Sequence, residues 1–238
     1  MSKIHFSIIT LFPEALKPYL DSSMLYKAQE RGIISVELVN LRDFGLGPHK
    51  SVDDTPYGGG DGMLLRCEPV FAAVESIKSH SPKAEVILPT PVGITWNQAL
   101  ARQFAGITLS KPAEGVFSPN TTIATQSAQS VPLENTEGGK SPILASPEAS
   151  DEAESSNGSD AQLSSTSSLE RHYIIVCPHY EGYDERIMTI VNHPISLGNY
   201  VLTGGELPAL ILVDSIARLL PGVLGGATSA EIESFSDG

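Results

Sequence analysis

In the segment Tyr173-Ile174-Ile175-Val176-Cys177-Pro178-His179-Tyr180-Glu181-Gly182, an apolar run is followed directly by a loop of proline, glycine and polar residues. A short, unbroken apolar run of this kind is typical of a strand buried on both faces of a parallel sheet. Val86-Ile87-Leu88 repeats the pattern, and it too precedes a loop rich in proline and glycine. Ile4–Ile9 and Ile34–Leu41 are two further strand candidates.

Helical patterns occupy the chain between these strands. The first pattern stops at Gly32 and the last at Pro221-Gly222, which are residues that commonly end helices. The predicted helices are Glu14–Arg31, Pro69–Lys78, Asn97–Phe104, Asp184–Val191 and Pro208–Leu220. This alternation of strands and helices predicts an α/β fold built on a mainly parallel sheet.

Composition indicates a globular chain in a reducing compartment. The 238 residues are 41% hydrophobic, enough for one or two domains with a buried core. The sequence has no apolar run of membrane-spanning length, and its first residues lack the apolar region of a signal peptide. Cys67 and Cys177 lie far apart and form neither a metal-ligand pair nor a disulfide framework. We therefore expect a cytoplasmic protein without a membrane partner.

One segment, residues 111–169, differs from the rest in composition. It is rich in Ser, Thr, Pro, Glu and Gly, so it is predicted to be a disordered insert within one domain formed by 1–110 and 170–238. The chain has a net charge of −13, which argues against a nucleic-acid partner because phosphate contacts need Lys and Arg. The insert holds eight acidic residues and two lysines, so nearly half of the acidic excess lies outside the predicted domain.

Loops after the strands are where open α/β sheets bind ligands. Residues 89–93, 177–182 and 196–205 are such loops, and a fourth glycine cluster lies at 57–63. Glycine lets the backbone approach a ligand closely, but the same residues are common in ordinary turns, and both roles stay open. The chain has neither a Gly-x-Gly-x-x-Gly fingerprint in a strand-turn-helix context nor a Walker motif, so common dinucleotide and phosphate sites are not indicated.

Several longer motifs follow one another in a distinctive order. They are His49-Lys50-Ser51-Val52-Asp53-Asp54, Tyr57-Gly58-Gly59-Gly60, Gly62-Met63, Tyr180-Glu181-Gly182, Asp184-Glu185-Arg186, Gly198 with Tyr200-Val201-Leu202, Gly204-Gly205-Glu206-Leu207-Pro208-Ala209, Pro221-Gly222-Val223-Leu224-Gly225 and Ser234-Phe235. Together they resemble the TrmD family of bacterial tRNA (guanine-N1)-methyltransferases over about 1–110 and 170–238.

The resemblance implies both a fold and an activity. The family belongs to the SPOUT methyltransferases, in which a parallel sheet with helices on both faces ends in a C-terminal trefoil knot that binds S-adenosyl-L-methionine. Its members are homodimers with the active site at the subunit interface. They methylate N1 of the guanosine 3′-adjacent to the anticodon of tRNA. By this resemblance we expect the same methyl donor, the same RNA partner and a homodimer here. The resemblance leaves open whether a Mg²⁺ ion assists the reaction.

The resemblance also implies that three loops hold the cofactor. The segment Leu197–Leu202 would bind it mainly through backbone groups, and its apolar side chains would pack in the core as well. The cofactor-binding residues carried over are Pro89, Pro91, Gly93, Pro178, Tyr180, Glu181, Gly182, Leu197, Gly198, Asn199, Tyr200, Val201, Leu202, Gly204 and Gly205. No residue is assigned as a metal ligand.

The family's catalytic arginine and acid match Arg218 and Glu233. A carboxylate can take the proton from N1, and an arginine can stabilise the oxygen-centred anion that develops on the base. Without the resemblance, both residues also fit ordinary surface roles. Arg218 lies four residues after Asp214, which is the spacing of a surface ion pair on a helix, and Glu233 resembles a solvated loop acid.

The chain departs from the family pattern at several positions. Glu233 stands where the family has aspartate, and the extra methylene moves the carboxylate by roughly 1 Å. Pro178 and His179 replace Gly-Arg, which removes a backbone N–H and a permanent charge. The family's helical tRNA-binding domain is expected to be absent. The alternatives are therefore an S-adenosylmethionine-binding module with weak or no turnover, and a SPOUT methyltransferase acting on another RNA.

Overall fold

Strands and helices alternate along the chain, as the sequence predicts. The computed structural model describes residues 4–56, 58–107 and 171–224. Its strands are β1 (Ile4–Thr10), β2 (Ile34–Asn40), β3 (Asp53–Asp54), β4 (Leu64–Leu65), β5 (Glu85–Thr95), β6 (Arg171–Val176) and β7 (His193–Ser196). Its helices are α1 (Pro13–Leu20), α2 (Ser23–Glu30), α3 (Cys67–His80), α4 (Gln98–Phe104) and α5 (Glu206–Ala217), with 3-10 turns at Leu41–Phe44 and Glu185–Ile190.

The central sheet is parallel throughout, in the order β2-β1-β6-β5-β7. Tyr173 and Ile175 of β6 belong to the core on one face, whereas Ile174 and Val176 belong to the core on the other. All four are buried, which explains the unbroken apolar run in the sequence. Because β6, β5 and β7 are neighbours, their carboxyl ends and the loops that follow lie at one edge of the sheet.

Helices cover both faces of this sheet. α1, α2, α4 and α5 contribute to one core, and α5 supplies several of its buried side chains, including Leu212, Val213 and Ile216. α3 packs on the opposite face through Val70 and Val74. Both cores are apolar, so burial on the two sides of the sheet stabilises the arrangement.

The predicted single helix Glu14–Arg31 is wrong, because the chain forms α1 and α2 instead. The N–H of Asp21 donates to the carbonyl of Lys17 and closes α1, which contains Pro18. Ser23 then opens α2 with a φ of +51°, a left-handed conformation that interrupts helical geometry.

Two other elements differ in how clearly the local sequence marks them. Asn97 caps α4, because its side chain accepts a hydrogen bond of 3.0 Å from the backbone N–H of Leu100. β7 had no strand signal in the sequence, since it is short and contains Pro194. β7 is an edge strand of the sheet, where proline is tolerated.

Two sequence-based predictions lie outside the described residues, namely the insert at 111–169 and Glu233. In the part of the chain that the structure does describe, no helix combines the length and apolarity needed to cross a bilayer.

Candidate functional site

The first loop at the carboxyl edge interrupts β5 without ending it. Pro89 pairs with Ile195 of β7, and after an excursion Ile94 pairs with the same residue. Residues 90–93 bulge out between these two pairs. Gly93 makes this possible, because a Cβ there would lie 2.6 Å from the carbonyl carbon of Pro194. The loop is therefore pinned to β7 at both ends.

The second loop follows β6 and is held in an unusual conformation. Tyr180 has a φ of +69°, which non-glycine residues rarely adopt. Backbone contacts with the segment around β4 fix it there. The N–H of Glu181 donates to the carbonyl of Met63 at 3.1 Å, and the N–H of Leu65 donates to the carbonyl of Gly182 at 2.9 Å.

The third loop, residues 197–205, connects β7 to α5. Gly198 has a φ of +150°, and a Cβ there would come within 2.9 Å of the Tyr200 ring. At the other end of the loop, the N–H of Gly205 donates to the carbonyl of Pro178. A Cβ on Gly205 would lie 2.6 Å from the Cα of Cys177, so only glycine fits against this backbone. The third loop thus ends against the start of the second.

The three loops enclose a cleft of about 190 Å³ that is partly open to solvent. Most of the predicted cofactor-binding residues line it, namely Pro89, Pro91, Pro178, Tyr180, Glu181, Gly182, Leu197, Gly198, Tyr200, Val201, Leu202, Gly204 and Gly205. Gly93 and Asn199 do not line the cleft. Gly93 faces the backbone of β7 instead, so it shapes the loop.

The cleft also includes residues that the sequence reasoning missed. They are Thr90, His179, Tyr183, Ile195, Ser196, Thr203 and Pro208. Thr90, His179 and Thr203 sit within the predicted loops, so their position was a usable signal. Tyr183 had none, because its role depends on the fold: its hydroxyl lies 3.1 Å from the hydroxyl of Thr90 across two loops.

The described lining of the cleft is mostly apolar side chains and backbone, with Glu181 as its one acidic residue and with neither lysine nor arginine. His179 packs edge-on between the rings of Phe12 and Tyr180, with centroids 5.1 and 5.3 Å away. Its Nδ1 atom is buried and has no hydrogen-bond partner among the described residues. A buried nitrogen without a partner is unfavourable, so a bound ligand that pairs with it would relieve this cost.

Nucleophilic chemistry at a cysteine finds less support in this arrangement. Cys177 lies directly before the second loop, but burial raises the pKa of its thiol well above the ordinary value, and the Glu206 carboxylate adds to the effect. The thiol is therefore neutral and unsuited to nucleophilic attack. The described parts of the chain contain no group of three or more His, Cys, Asp or Glu placed to hold a metal ion.

Arg218 lies apart from the cleft within one chain. It follows the last residue of α5, and its backbone N–H donates to the carbonyl of Asp214 at 3.0 Å. α5 begins at Glu206, directly after the cleft residue Gly205, and its 12 residues span about 18 Å. Arg218 is absent from the cleft lining. The structure therefore gathers the predicted cofactor loops but leaves the predicted catalytic arginine at the far end of α5.

Comparison with known proteins agrees with this architecture. The sequence profile of the family described as tRNA (Guanine-1)-methyltransferase TrmD matches residues 4–109 and 147–238. The tRNA (guanine-N(1)-)-methyltransferase of Latilactobacillus sakei is 35% identical over 232 residues, which cover 97% of this chain and 69% of the relative. The corresponding protein of Dictyoglomus turgidum is 36% identical over 235 residues, covering 99% of this chain and 69% of the relative.

A solved structure also points to this family. The crystal structure of tRNA (m1G37) methyltransferase from Aquifex aeolicus aligns with a TM-score of 0.62 and 27% sequence identity. The alignment covers 94% of this chain and 72% of that one. With the profile match, the relatives and the aligned structure in agreement, the chain belongs to the TrmD family of tRNA (guanine-1)-methyltransferases.

Proposed function

We propose that this chain transfers a methyl group from S-adenosyl-L-methionine to N1 of the guanosine 3′-adjacent to the anticodon of tRNA. The observation that carries the proposal is the cleft at the carboxyl edge of the sheet, built by three backbone-rich loops in a member of the TrmD family. Cys67 and Cys177 are not joined in a disulfide, which supports the proposal that the protein acts in a reducing cytoplasm.

The cleft residues fit this methyl donor. S-adenosylmethionine supplies a methyl group activated on a positively charged sulfonium. Glu181 is the one acidic residue in the described lining, and a carboxylate there favours a cationic ligand. Leu197, Tyr200 and Leu202 offer apolar surface for an adenosine, and the glycine-rich backbone offers hydrogen bonds.

We expect the chain around the cleft to form the trefoil knot that the family resemblance implies. Two contacts support this expectation. β5 pairs with β7 both before and after its bulge, so this part of the chain stays close to β7 throughout. The third loop then returns to the carboxyl end of β6, where Gly205 meets Pro178.

A homodimer would place an Arg218 at the cleft even though the two are separated within one chain. One chain places them at opposite ends of α5, whereas a two-fold partner can bring its own Arg218 to the cleft of the first chain. Leu207 and Ile211 lie one turn apart on α5 and are 59% and 44% exposed, and Val201 on the third loop is 87% exposed. Such apolar surface beside the cleft favours a protein partner.

In this proposal, Glu233 accepts the proton from N1 of the guanine. Arg218 stabilises the negative charge that develops on the base oxygen as the proton leaves. We expect Arg218→Ala to bind S-adenosylmethionine as the wild type does, but to lose about 100- to 1000-fold in methyl transfer. Arg218→Lys keeps the charge without the planar fork, so it should recover part of the rate.

The activity test uses radiolabelled S-adenosylmethionine and tRNA transcripts whose target guanosine follows another guanosine. The expected product is 1-methylguanosine at that position, identified by mass spectrometry. A transcript with adenosine there should stay unlabelled. Cofactor binding in calorimetry without product on any tRNA would favour a binding module, and label elsewhere would favour another RNA. Assays with and without Mg²⁺ test the metal ion.

A mixed dimer tests the shared active site. Arg218→Ala and Gly198→Val, which crowds the cleft, should each inactivate a homodimer. A heterodimer purified through two different tags would retain one intact site and about half of the wild-type activity, if each site uses both chains. An inactive heterodimer would show that the arginine and the cleft act within one chain.

A further inference from the structure

We propose that Gly62 is a positioning residue that fixes the side chain of Glu181 at the cleft, an inference that rests on the proposed function. Gly62 has a φ of +88°. A Cβ built there would collide with the Cγ of Glu181 and would lie 3.4 Å from its Cδ. The Glu181 side chain therefore packs directly across the backbone of Gly62, where only glycine leaves room for it.

The chain beyond Gly62 is firmly anchored. Leu65 is fully buried in the core beneath α3, and β4 pairs with β3 in an antiparallel register. The N–H of Arg66 donates to the carbonyl of Val52 at 2.9 Å, which adds a further tie to the same neighbouring segment. This short strand is thus a rigid support rather than a free loop.

The same strand carries the second cofactor loop through three backbone hydrogen bonds. The N–H of Glu181 bonds to the carbonyl of Met63, and the N–H of Leu65 bonds to the carbonyl of Gly182. The N–H of Asp184 donates in turn to the carbonyl of Leu65 at 2.9 Å. These contacts hold the loop in the left-handed turn at Tyr180, a conformation that non-glycine residues rarely adopt.

Backbone contacts alone leave the side chain of Glu181 free to rotate. Glu181 is solvent-exposed, and an exposed glutamate ordinarily samples several rotamers. Because Gly62 has no side chain, its backbone provides the surface against which one rotamer of the Glu181 side chain packs. Gly62 thereby sets where the one carboxylate of the described cleft lining lies relative to a sulfonium.

Substitution at this position should move a side chain without breaking the fold. In Gly62→Ala the new methyl group meets the Cγ of Glu181, which can rotate away, and its three nearest neighbours are all atoms of that side chain. We expect the variant to fold and to bind S-adenosylmethionine about tenfold more weakly, as for loss of one charge-assisted contact.

Gly59→Ala is the matched control for this variant. Gly59 lies in the same glycine cluster, residues 57–63, with a φ of +83°, and a Cβ there would meet nothing within 4 Å. Both substitutions therefore strain the backbone alike, but only the one at Gly62 reaches Glu181. Thermal melts confirm folding, and calorimetry should show wild-type affinity for Gly59→Ala.

A double-mutant cycle decides between positioning and general damage. Glu181→Ala removes the Cγ atom, so adding Gly62→Ala to it should weaken binding no further. The inference would be overturned if the losses in affinity from Gly62→Ala and Glu181→Ala multiply in the double variant. It would also be overturned if Gly62→Ala binds as tightly as Gly59→Ala. Either result leaves the proposed function intact, provided that the wild-type chain binds S-adenosylmethionine. Failure of the wild-type chain to bind S-adenosylmethionine would overturn both.

Discussion

The backbone N–H of Gly205 donates a hydrogen bond of 2.8 Å to the carbonyl oxygen of Pro178. This bond joins the end of the third loop to the start of the second and closes one wall of the cleft. It also explains why proline is accepted at this position, where the family has glycine. The contact uses the carbonyl at position 178, and a proline retains that group although it lacks an N–H.

Gly205→Ala should destabilise the chain more than Gly204→Ala does. A Cβ on Gly205 meets backbone, including the nitrogen of Pro178 at 2.8 Å, and we expect a loss of about 1–3 kcal/mol in the free energy of unfolding. The three atoms nearest to a Cβ on Gly204 belong to the side chains of His179 and Glu206, which can adjust more easily than backbone. Urea unfolding of both variants measures the difference, and equal losses would contradict the close backbone approach at Gly205.

His179→Phe tests the buried nitrogen of the cleft. The phenyl ring can keep the packing against Phe12 and Tyr180, while the unpaired Nδ1 atom is removed. We expect the ligand-free chain to gain about 1 kcal/mol in stability, because a buried unsatisfied group is costly. S-adenosylmethionine should bind more weakly if it pairs with this atom.

Thermal melts with and without S-adenosylmethionine separate these two effects of His179→Phe. A matched change at the exposed His80, far along the chain at the end of α3, controls for general consequences of replacing an imidazole. Unchanged ligand-induced stabilisation in His179→Phe would show that the nitrogen does not contact the methyl donor.

His172 should make the fold sensitive to acid. Burial lowers the pKa of His172 from 6.5 to about 4, the neighbouring His5 contributes to the decrease, and Glu37 opposes it. The unfolded chain binds the proton near pH 6.5, but the native chain does so only near pH 4. The stability that the neutral ring provides is thus complete above pH 6.5 and is lost between 6.5 and 4, by roughly 1–3 kcal/mol.

Unfolding in urea at several pH values between 7 and 4 measures this loss. His172→Gln keeps an N–H that can reach the hydroxyl of Ser7, which lies 2.9 Å from His172 Nε2, but it does not titrate. The variant should therefore lose less stability on acidification than the wild type. An identical slope in both proteins would assign the acid sensitivity to other groups.

Deletion of residues 111–169 should leave the cleft intact. The described residues on either side of the segment are held together, because the Tyr173 hydroxyl donates to the carbonyl of Phe104 at 2.9 Å. They lie at the amino end of β6, at the opposite end of that strand from the cleft. With a short Gly-Ser linker, we expect the unfolding free energy within about 1 kcal/mol of wild type and unchanged cofactor affinity. Lost affinity would show that the segment acts on the cleft.

The buried strands and the loops that line the cleft were predictable because their signals are local. An apolar run such as Tyr173–Val176 marks a doubly buried strand, and glycines after it mark a loop with special backbone geometry. The ligand that we propose rests on membership of the TrmD family, because neither strand pattern nor loop composition identifies a ligand.

Features that depend on distant contacts were not predictable in this way. The break before Ser23 rests on one left-handed residue, and β7 became a strand only by pairing with β5. Gly93 looked like a ligand contact, but its neighbour is the backbone at Pro194. The separation of Arg218 from the cleft follows from the length of α5 and the way that helix packs, which spacing along the chain does not reveal.

The bulge in β5 has a consequence for the kinetics of ligand exchange. Its two ends both pair with Ile195, so strand pairing ties this wall to β7 on both sides. The turn at Tyr200 and Val201 is 55% and 87% exposed, and it lies outside the strands of the sheet. We expect entry and departure of the methyl donor to proceed past this turn, so that its opening rate sets the residence time of the complex.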